Sequence, residues 1–277
     1  MADRSPVIEE RIDVDGVGVF VRRTEGEGAP VVFSHGNPTD SADWLPFMEQ
    51  LSRPGIAFDH PGWGRSDAPS AKRFDYSMHG LARFFGRALD VLGVEEHALV
   101  VQDWGALALI DAIARPERLD RLVVINSVAF LPGYRWHRLA RLWRTPVVGP
   151  LVNLTVAKPV LRTMSRQASG DGRRFPDWFI DRIYDGWRGA SSAAMLELYR
   201  SADPPALAAA GLGLGRIECP SLVVWGEHDP YIPPRFALVY AKRLPNAELL
   251  ELPDAGHWPW IDRPDLVGTV CSFLAAG

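Results

Sequence analysis

One stretch constrains this chain more than any other: Leu99-Val100-Val101-Gln102-Asp103-Trp104-Gly105-Ala106-Leu107-Ala108-Leu109. Its valine-rich apolar run reads as a strand, and a helical pattern resumes directly after Gln102-Asp103. A strand that turns straight into a helix at one polar residue lifts that side chain above the sheet edge, the arrangement of a nucleophile elbow. Serine is the usual occupant; here it is Asp103. Serine suits acyl transfer, whereas a carboxylate can also displace a leaving group from saturated carbon. The plainer reading makes Asp103 the N-cap of the following helix, and this stretch alone leaves both open.

The rest of the chain supplies a sheet for that elbow. Residues 7 to 23 read as two β segments around the turn Asp15-Gly16, with Val17, Val19 and Val21 alternating. Pro30 to Ser34 and Gly55 to Phe58 are continuous apolar runs, as expected of strands buried on both faces of a parallel sheet. The first ends in His35-Gly36-Asn37-Pro38-Thr39, before a helix expected from Ser41 to Leu51. The second ends in a loop from Asp59 to Asp67 dense in turn formers. Helical spacing runs from Ser77 to Leu92 and is closed by Gly93. After the elbow come a helix to Ala114 and a strand at Leu122 to Ile125. Strands at Ser221 to Trp225 and Ala247 to Leu252 follow, with helices at Pro234 to Arg243 and Pro264 to Leu274. Gly211-Leu212-Gly213-Leu214-Gly215 opens no helix, so it is not read as a phosphate cradle.

Between Phe130 and Pro205 the alternation disappears and the chain becomes helical, rich in arginine and tryptophan. Arg135, Arg138, Arg141 and Arg144 recur every three residues beside Trp136, Leu139, Leu142 and Trp143. The favoured reading is an arginine-edged helix whose apolar face covers the main domain, over a basic helix for a membrane or partner. Such an insertion is a natural lid. The expected division is a main domain of residues 1–129 and 206–277 with a helical cap over 130–205.

A net charge of −4 gives no reason to expect nucleic acid as a partner. No run of about eighteen apolar residues suggests a membrane span, and Met1 to Pro6 carries no apolar leader. Cys219 and Cys271 have no histidines at metal-ligand spacing and read as small buried apolar groups, with a cytoplasmic setting as the default.

Asp103, Asp229 in Gly226-Glu227-His228-Asp229, and His257 in Gly256-His257 each follow a predicted parallel strand, where open α/β sheets bind ligands. With the His35-Gly36-Asn37-Pro38 loop and the Asp59 to Asp67 loop, these motifs resemble, in order, the α/β-hydrolases. The resemblance is to the aspartate-nucleophile members, haloalkane dehalogenases and epoxide hydrolases. It implies an α/β-hydrolase fold: a mostly parallel sheet flanked by helices, with a helical lid inserted after the sixth strand. It also implies that Asp103 forms an alkyl ester, that His257 activates the water that cleaves it, and that Asp229 orients the imidazole. Oxyanion donors would be the backbone N–H groups of Asn37 and Trp104.

Each residue has a duller reading. His257 could be a plain loop histidine, and Asp229 a turn former before Pro230. Glu227 is a rival acid, and the other position used for the acid in these enzymes holds Asn126-Ser127 here. His35 reads as structural, and His137 has no visible chemical partner. Trp104 and Asn37 resemble the pair that donates to the departing halide in dehalogenases. Epoxide hydrolases instead use two lid tyrosines, for which Tyr134, Tyr184 and Tyr199 are available. Tyr199 resembles one of them, and also suits a packed lid aromatic. The Asn37–Trp104 pair favours halide over epoxide, and a fold relative that binds without catalysis is the third reading. No cofactor and no metal are expected, because the histidines are scattered singly. The expected substrate is a small apolar organic molecule, since Trp104 and a lid containing Trp136, Trp143, Trp178 and Trp187 suggest an aromatic-walled pocket, the sequence leaving open which of them face it.

Overall fold

The alternating valines and continuous apolar runs build one eight-stranded sheet, ordered β1-β2-β4-β3-β5-β6-β7-β8. A computed structural model describes residues 6–188 and 190–276, so Met1 to Ser5, read above as carrying no apolar leader, lie outside the described residues. Strands β1 (Ile8–Val14) and β2 (Val17–Thr24) form the hairpin around Asp15-Gly16, and β2 pairs antiparallel with β4 (Gly55–Phe58). The remaining neighbours are parallel: β3 (Val31–Ser34), β5 (His97–Asp103), β6 (Leu119–Ser127), β7 (Ser221–Gly226) and β8 (Ala247–Leu252). Every residue of β3, β4, β5 and β7 is buried, which is why these strands read as unbroken apolar runs rather than alternating ones.

Helices α1 (Leu45–Met48), α2 (Met78–Val91) and α3 (Ala108–Ala114) precede β6. The segment expected as a helix from Ser41 to Leu51 is shorter: a 3-10 turn at Ser41–Trp44, then α1. Pro46 in its first turn and Pro54 just beyond leave little room for a longer helix. Ser77 caps α2 through the Gly80 N–H.

After β6 the chain leaves the sheet for six helices: α4 (Arg138–Arg144), α5 (Val148–Thr155), α6 (Lys158–Ala168), α7 (Asp177–Gly186), α8 (Ala190–Ser201) and α9 (Pro204–Ala210). It then returns through β7, α10 (Arg235–Arg243), β8, α11 (Pro259–Asp262) and α12 (Leu266–Ala275). Among the described residues no helix is long and apolar enough to cross a membrane.

The helical insertion is fastened beside the strand ends. Arg182 on α7 pairs with Asp40 (3.1 Å) and the buried Asp43 (3.0 Å). Asp262 accepts from the Ser169 hydroxyl (2.8 Å) and the Gly170 N–H (3.0 Å) on one side, and from the Gly256 N–H (2.8 Å) on the other. The N–H of His257 itself donates to Ala168, at the end of α6 (2.9 Å).

Candidate active site

Asp103 ends β5 with φ 49° and ψ −123°, a left-handed conformation costly for a residue with a side chain. Two glycines permit the sharp turn. A Cβ on Gly105 would lie 2.0 Å from the Ser34 carbonyl oxygen, and one on Gly36 would lie 2.6 Å from the Asp103 Cβ. Their bareness lets the His35 loop close onto the elbow. The Asp103 side chain makes no capping bond to the turn that follows, so it does not act as an N-cap. Instead its Oδ1 accepts the Asn37 backbone N–H at 2.9 Å. Burial pushes its carboxyl upward, while His257 and the N–H groups of Asn37 and Trp104 work against that push and favour the ionised form.

Opposite stands His257, whose Nε2 is 3.6 Å from Asp103 Oδ2 and whose Nδ1 donates to Asp229 Oδ2 at 2.7 Å. Burial alone would discharge the ring; the charge and hydrogen bond of Asp229, and then Asp103, outweigh it and raise its proton affinity above the usual histidine value. Asp229 is itself held fast. Its Oδ1 accepts the N–H groups of Tyr231 (2.8 Å) and Ile232 (3.0 Å), and its Oδ2 accepts the Asn126 amide (2.8 Å). Asn126 sits at φ 36°, and its Oδ1 takes the Gly226 N–H (2.9 Å), tying β6 to β7 where the acid leaves the sheet. The position that lacks a carboxylate therefore orients one. The motif reading noted only the missing acid there. Glu227 is exposed.

Gln102, buried beside the elbow, donates to the His257 carbonyl (3.1 Å). His35 is structural, as read: its Nδ1 donates to Gly36 O and its Nε2 accepts the His60 N–H.

Asn37 is oriented by a residue that the loop motif contained without revealing its role. The Trp63 indole N–H donates to Asn37 Oδ1 at 3.0 Å. Indole can only donate, so the Asn37 amide nitrogen must point the other way. There it meets the Tyr199 hydroxyl. Burial and the Asp103 charge raise the Tyr199 phenol well above its ordinary value, and Trp104 and Asn37 donors partly offset that rise. The buried Trp104 indole N–H leans toward the same oxygen without completing a hydrogen bond, and it has no partner among the described residues.

These groups open onto a cavity lined by Asn37, Asp103, His257 and Tyr199 and by Leu139, Trp143, Leu161, Met164, Phe175, Ile183, Trp187 and Trp258. His137 and Tyr231 also line it. Of the tryptophans whose placement the sequence left open, Trp143 and Trp187 line the cavity and the other three lie elsewhere. Trp178 is 55% exposed. Trp104 and Trp136 stack on each other (ring centroids 5.5 Å apart, planes 25°) behind Tyr199, which meets Trp104 edge-on at 5.1 Å. Tyr199, arriving from α8, thus lines the cavity where Trp104 packs behind it. Of the other tyrosines, Tyr134 packs on Trp136 and Phe236, and Tyr184 bonds to Arg188. Among the described residues no group of three or more His, Cys, Asp or Glu side chains is placed to hold a metal.

Comparison with known proteins places the fold. The model of the alpha/beta hydrolase fold family matches residues 29–264. A cis-3-alkyl-4-alkyloxetan-2-one decarboxylase of Shewanella oneidensis is 31% identical over 266 residues, covering 88% of this chain and 81% of the relative. A haloalkane dehalogenase of Mycolicibacterium paratuberculosis is 34% identical over 221 residues, covering 74% and 69%. Among solved structures, the haloalkane dehalogenase DbeA of Bradyrhizobium elkani superposes with a TM-score of 0.82 at 27% identity, over 98% of each chain. The epoxide hydrolase CorEH shares the fold, with a TM-score of 0.80 at 18% identity.

Proposed function

This chain belongs to the α/β-hydrolase family, and within it we propose that it is a haloalkane dehalogenase acting through a covalent ester on Asp103. One observation carries the reading: the elbow holds a carboxylate whose Oδ1 already occupies the backbone donor site, with Oδ2 turned to the cavity and to His257. Oδ2 attacks the halogen-bearing carbon, the carbon–halogen bond breaks, and halide departs with the bonding pair. No base is needed in this step.

The departing anion needs donors that carry no compensating charge. Asn37 and Tyr199 line the cavity beside Asp103 and offer an amide N–H and an O–H there, while the Trp104 indole N–H lies behind Tyr199, turned to the same phenol oxygen. A buried indole N–H without a partner is poised for an acceptor, because leaving it unpaired costs about 1–3 kcal/mol. In the second step His257 Nε2 takes a proton from water, and the resulting hydroxide attacks the ester carbon of Asp103. The negative charge that forms on Oδ1 meets the Asn37 and Trp104 backbone N–H groups, donors that were in place before the reaction. Asp229 holds the imidazole in the required tautomer and stabilises its charged form. Collapse releases the alcohol and regenerates the carboxylate.

The insertion over residues 130–205 acts as the lid on this site, a small apolar haloalkane is the substrate class, and the setting is the cytoplasm; nucleic acid and membrane are not partners in this reading. The place of Tyr199 favours a second reading, epoxide opening, in which its hydroxyl protonates the alkoxide that Asp103 displaces. Burial and the Asp103 charge keep this phenol protonated, so it can donate to either leaving group, and the products formed decide between the two readings. The test is a parallel assay of bromoalkanes, epoxides and a dialkyl oxetanone, following halide, diol and carbon dioxide. Bromide release without diol supports the proposal; diol alone, or decarboxylation alone, overturns it.

A further inference from the structure

The cavity carries one stripe of polar groups that the reaction does not use. Tyr231 packs edge-on against the catalytic candidate His257, ring centroids 4.9 Å apart and planes at 79°. His137 follows on the far side of Tyr231, at 5.1 Å. Both line the cavity, whose remaining lining is largely apolar, with Trp143 edge-on to His137 (ring centroids 6.1 Å apart) and Leu161 and Trp187 among its walls.

The chemistry of this stripe is fixed by the fold. His137 is the N-cap of α4: its Nδ1 accepts the Ala140 N–H. A ring nitrogen that accepts cannot carry hydrogen, so the proton of the neutral imidazole is on Nε2 and that edge is a donor. The ring also stays neutral. Burial, aided by the charge of His257 and opposed by Asp229, lowers its pKa to about 4. The Tyr231 backbone N–H is committed to Asp229, whereas its hydroxyl has no hydrogen-bond partner among the described residues.

We propose that His137 and Tyr231 form a specificity subsite for a neutral hydrogen-bond acceptor, an ether or ester oxygen, carried a few bonds from the reacting carbon. The subsite rests on the reading of this cavity as the substrate pocket, but not on which group leaves. A plain alkyl chain laid along the stripe strips water from an N–H and an O–H and gives nothing back, so a site built this way disfavours the analogue that lacks the acceptor. A carboxylate is disfavoured too, since neither donor is cationic and the Tyr231 phenol, whose proton affinity burial raises most, also feels the negative charges of Asp229 and Asp103.

The experiment compares bromohexane with its isostere in which one chain methylene is replaced by an ether oxygen. The same comparison is made for binding of the two corresponding alcohols, read from quenching of the cavity tryptophans. The quantity read is the ether-to-alkane ratio, in kcat/KM and in affinity. Tyr231→Phe, which removes only the hydroxyl, is expected to lower both ratios roughly three- to tenfold, through KM rather than kcat. His137→Phe does the same. His137→Asn, which keeps a capping oxygen and an N–H, restores much of the ratio, separating the donor from the cap. Thermal melts identify a variant that has lost its fold, and Tyr231→Phe then decides alone. Unchanged ratios in both Phe variants overturn the proposal. If neither bromide is turned over, the dehalogenase reading fails while the alcohol-binding ratio still decides this one.

Discussion

The strand ends and the helical insertion face one cavity, but they are held on different terms. Asp103 and Asp229 hang from β5 and from the loop after β7, and main-chain N–H groups grip their carboxylates: Asn37 for the first, Tyr231 and Ile232 for the second. Backbone donors do not change when side chains do, so this geometry is insulated from most substitutions. The insertion is six helices of seven to twelve residues, fixed largely by side chains. Arg182 reaches Asp40 and Asp43, Arg144 caps the carbonyls of Tyr199 and Ala202, and the Asn153 oxygen takes the indoles of both Trp143 and Trp187 at 2.9 Å. Main-chain donors thus hold the candidate reactive groups, and side-chain ties hold the helices that line the rest of the cavity.

The sharpest way to break this contrast is at the elbow. Asp103→Asn keeps the shape and both N–H contacts but removes the nucleophilic charge. Turnover should fall by about 10⁴-fold or more, with ligand binding and the thermal melt retained; full activity would end the covalent mechanism. His257→Gln comes next and separates the two steps. One equivalent of halide should appear in a rapid burst, the protein mass should rise by the alkyl group, and turnover should then stop. Binding without any burst would place His257 in the first step instead.

The same contrast explains what the sequence disclosed. Strands buried on both faces must be apolar throughout, so Val31 to Phe33 and Leu99 to Val101 announced themselves; Asp103 ends such a run, Asp229 follows the buried β7 by three residues, and His257 lies five residues beyond the half-exposed β8. Asp103, Asp229 and His257 were legible because strand, polar residue and turn are adjacent in the chain. Asn126 and Trp63 were not, because their roles are long-range: Asn126 meets Asp229 103 residues later, and Trp63 turns the amide of Asn37 from a neighbouring loop. The insertion was legible only as a change of character. Its helices are short and broken by Pro146, Pro159 and Pro176. Periodicity therefore marked Trp143 and Trp187 as cavity residues no more clearly than Trp178, which points to solvent.

Smaller effects should follow the division of labour. Asn126→Leu removes one donor from the Asp229 carboxylate without touching substrate. A hydrogen bond to a charged group is worth about 1.5–3 kcal/mol, so kcat should drop roughly ten- to a hundredfold while KM stays within about twofold. A loss confined to KM would refute its role in orienting the acid. Arg182→Met unfastens α7 and leaves Asp43 as a buried carboxyl whose proton affinity burial has already raised. The expected result is a several-fold higher KM, a lower melting temperature and little change in the single-turnover halide burst. A burst that slowed in proportion to KM would mean that the insertion positions the nucleophile as well.

The smallest effect is in the pH profile, and it tests whether the two carboxylates act on His257 separately. In the resting site, burial favours the neutral ring, but Asp229 and then Asp103 outweigh it and favour the imidazolium, so the proton affinity is raised. Alkylation converts Asp103 into a neutral ester and removes one of these two charges. The imidazolium is then less stabilised, its pKa falls, and the proton leaves just when a base is required. Ester hydrolysis needs the neutral ring, so its rate rises with pH through the lower value in the ester, not the higher one of the resting enzyme. Titration of His257 by proton NMR in the free protein should therefore give a midpoint above the acidic limb of the single-turnover hydrolysis rate, by up to about one unit. Asp229→Asn, which removes the remaining charge, should move that limb further toward acid while slowing the step. Coincident midpoints would mean that Asp103 contributes nothing to the protonation of its neighbour at 3.6 Å, and that the elbow and the base titrate as independent parts.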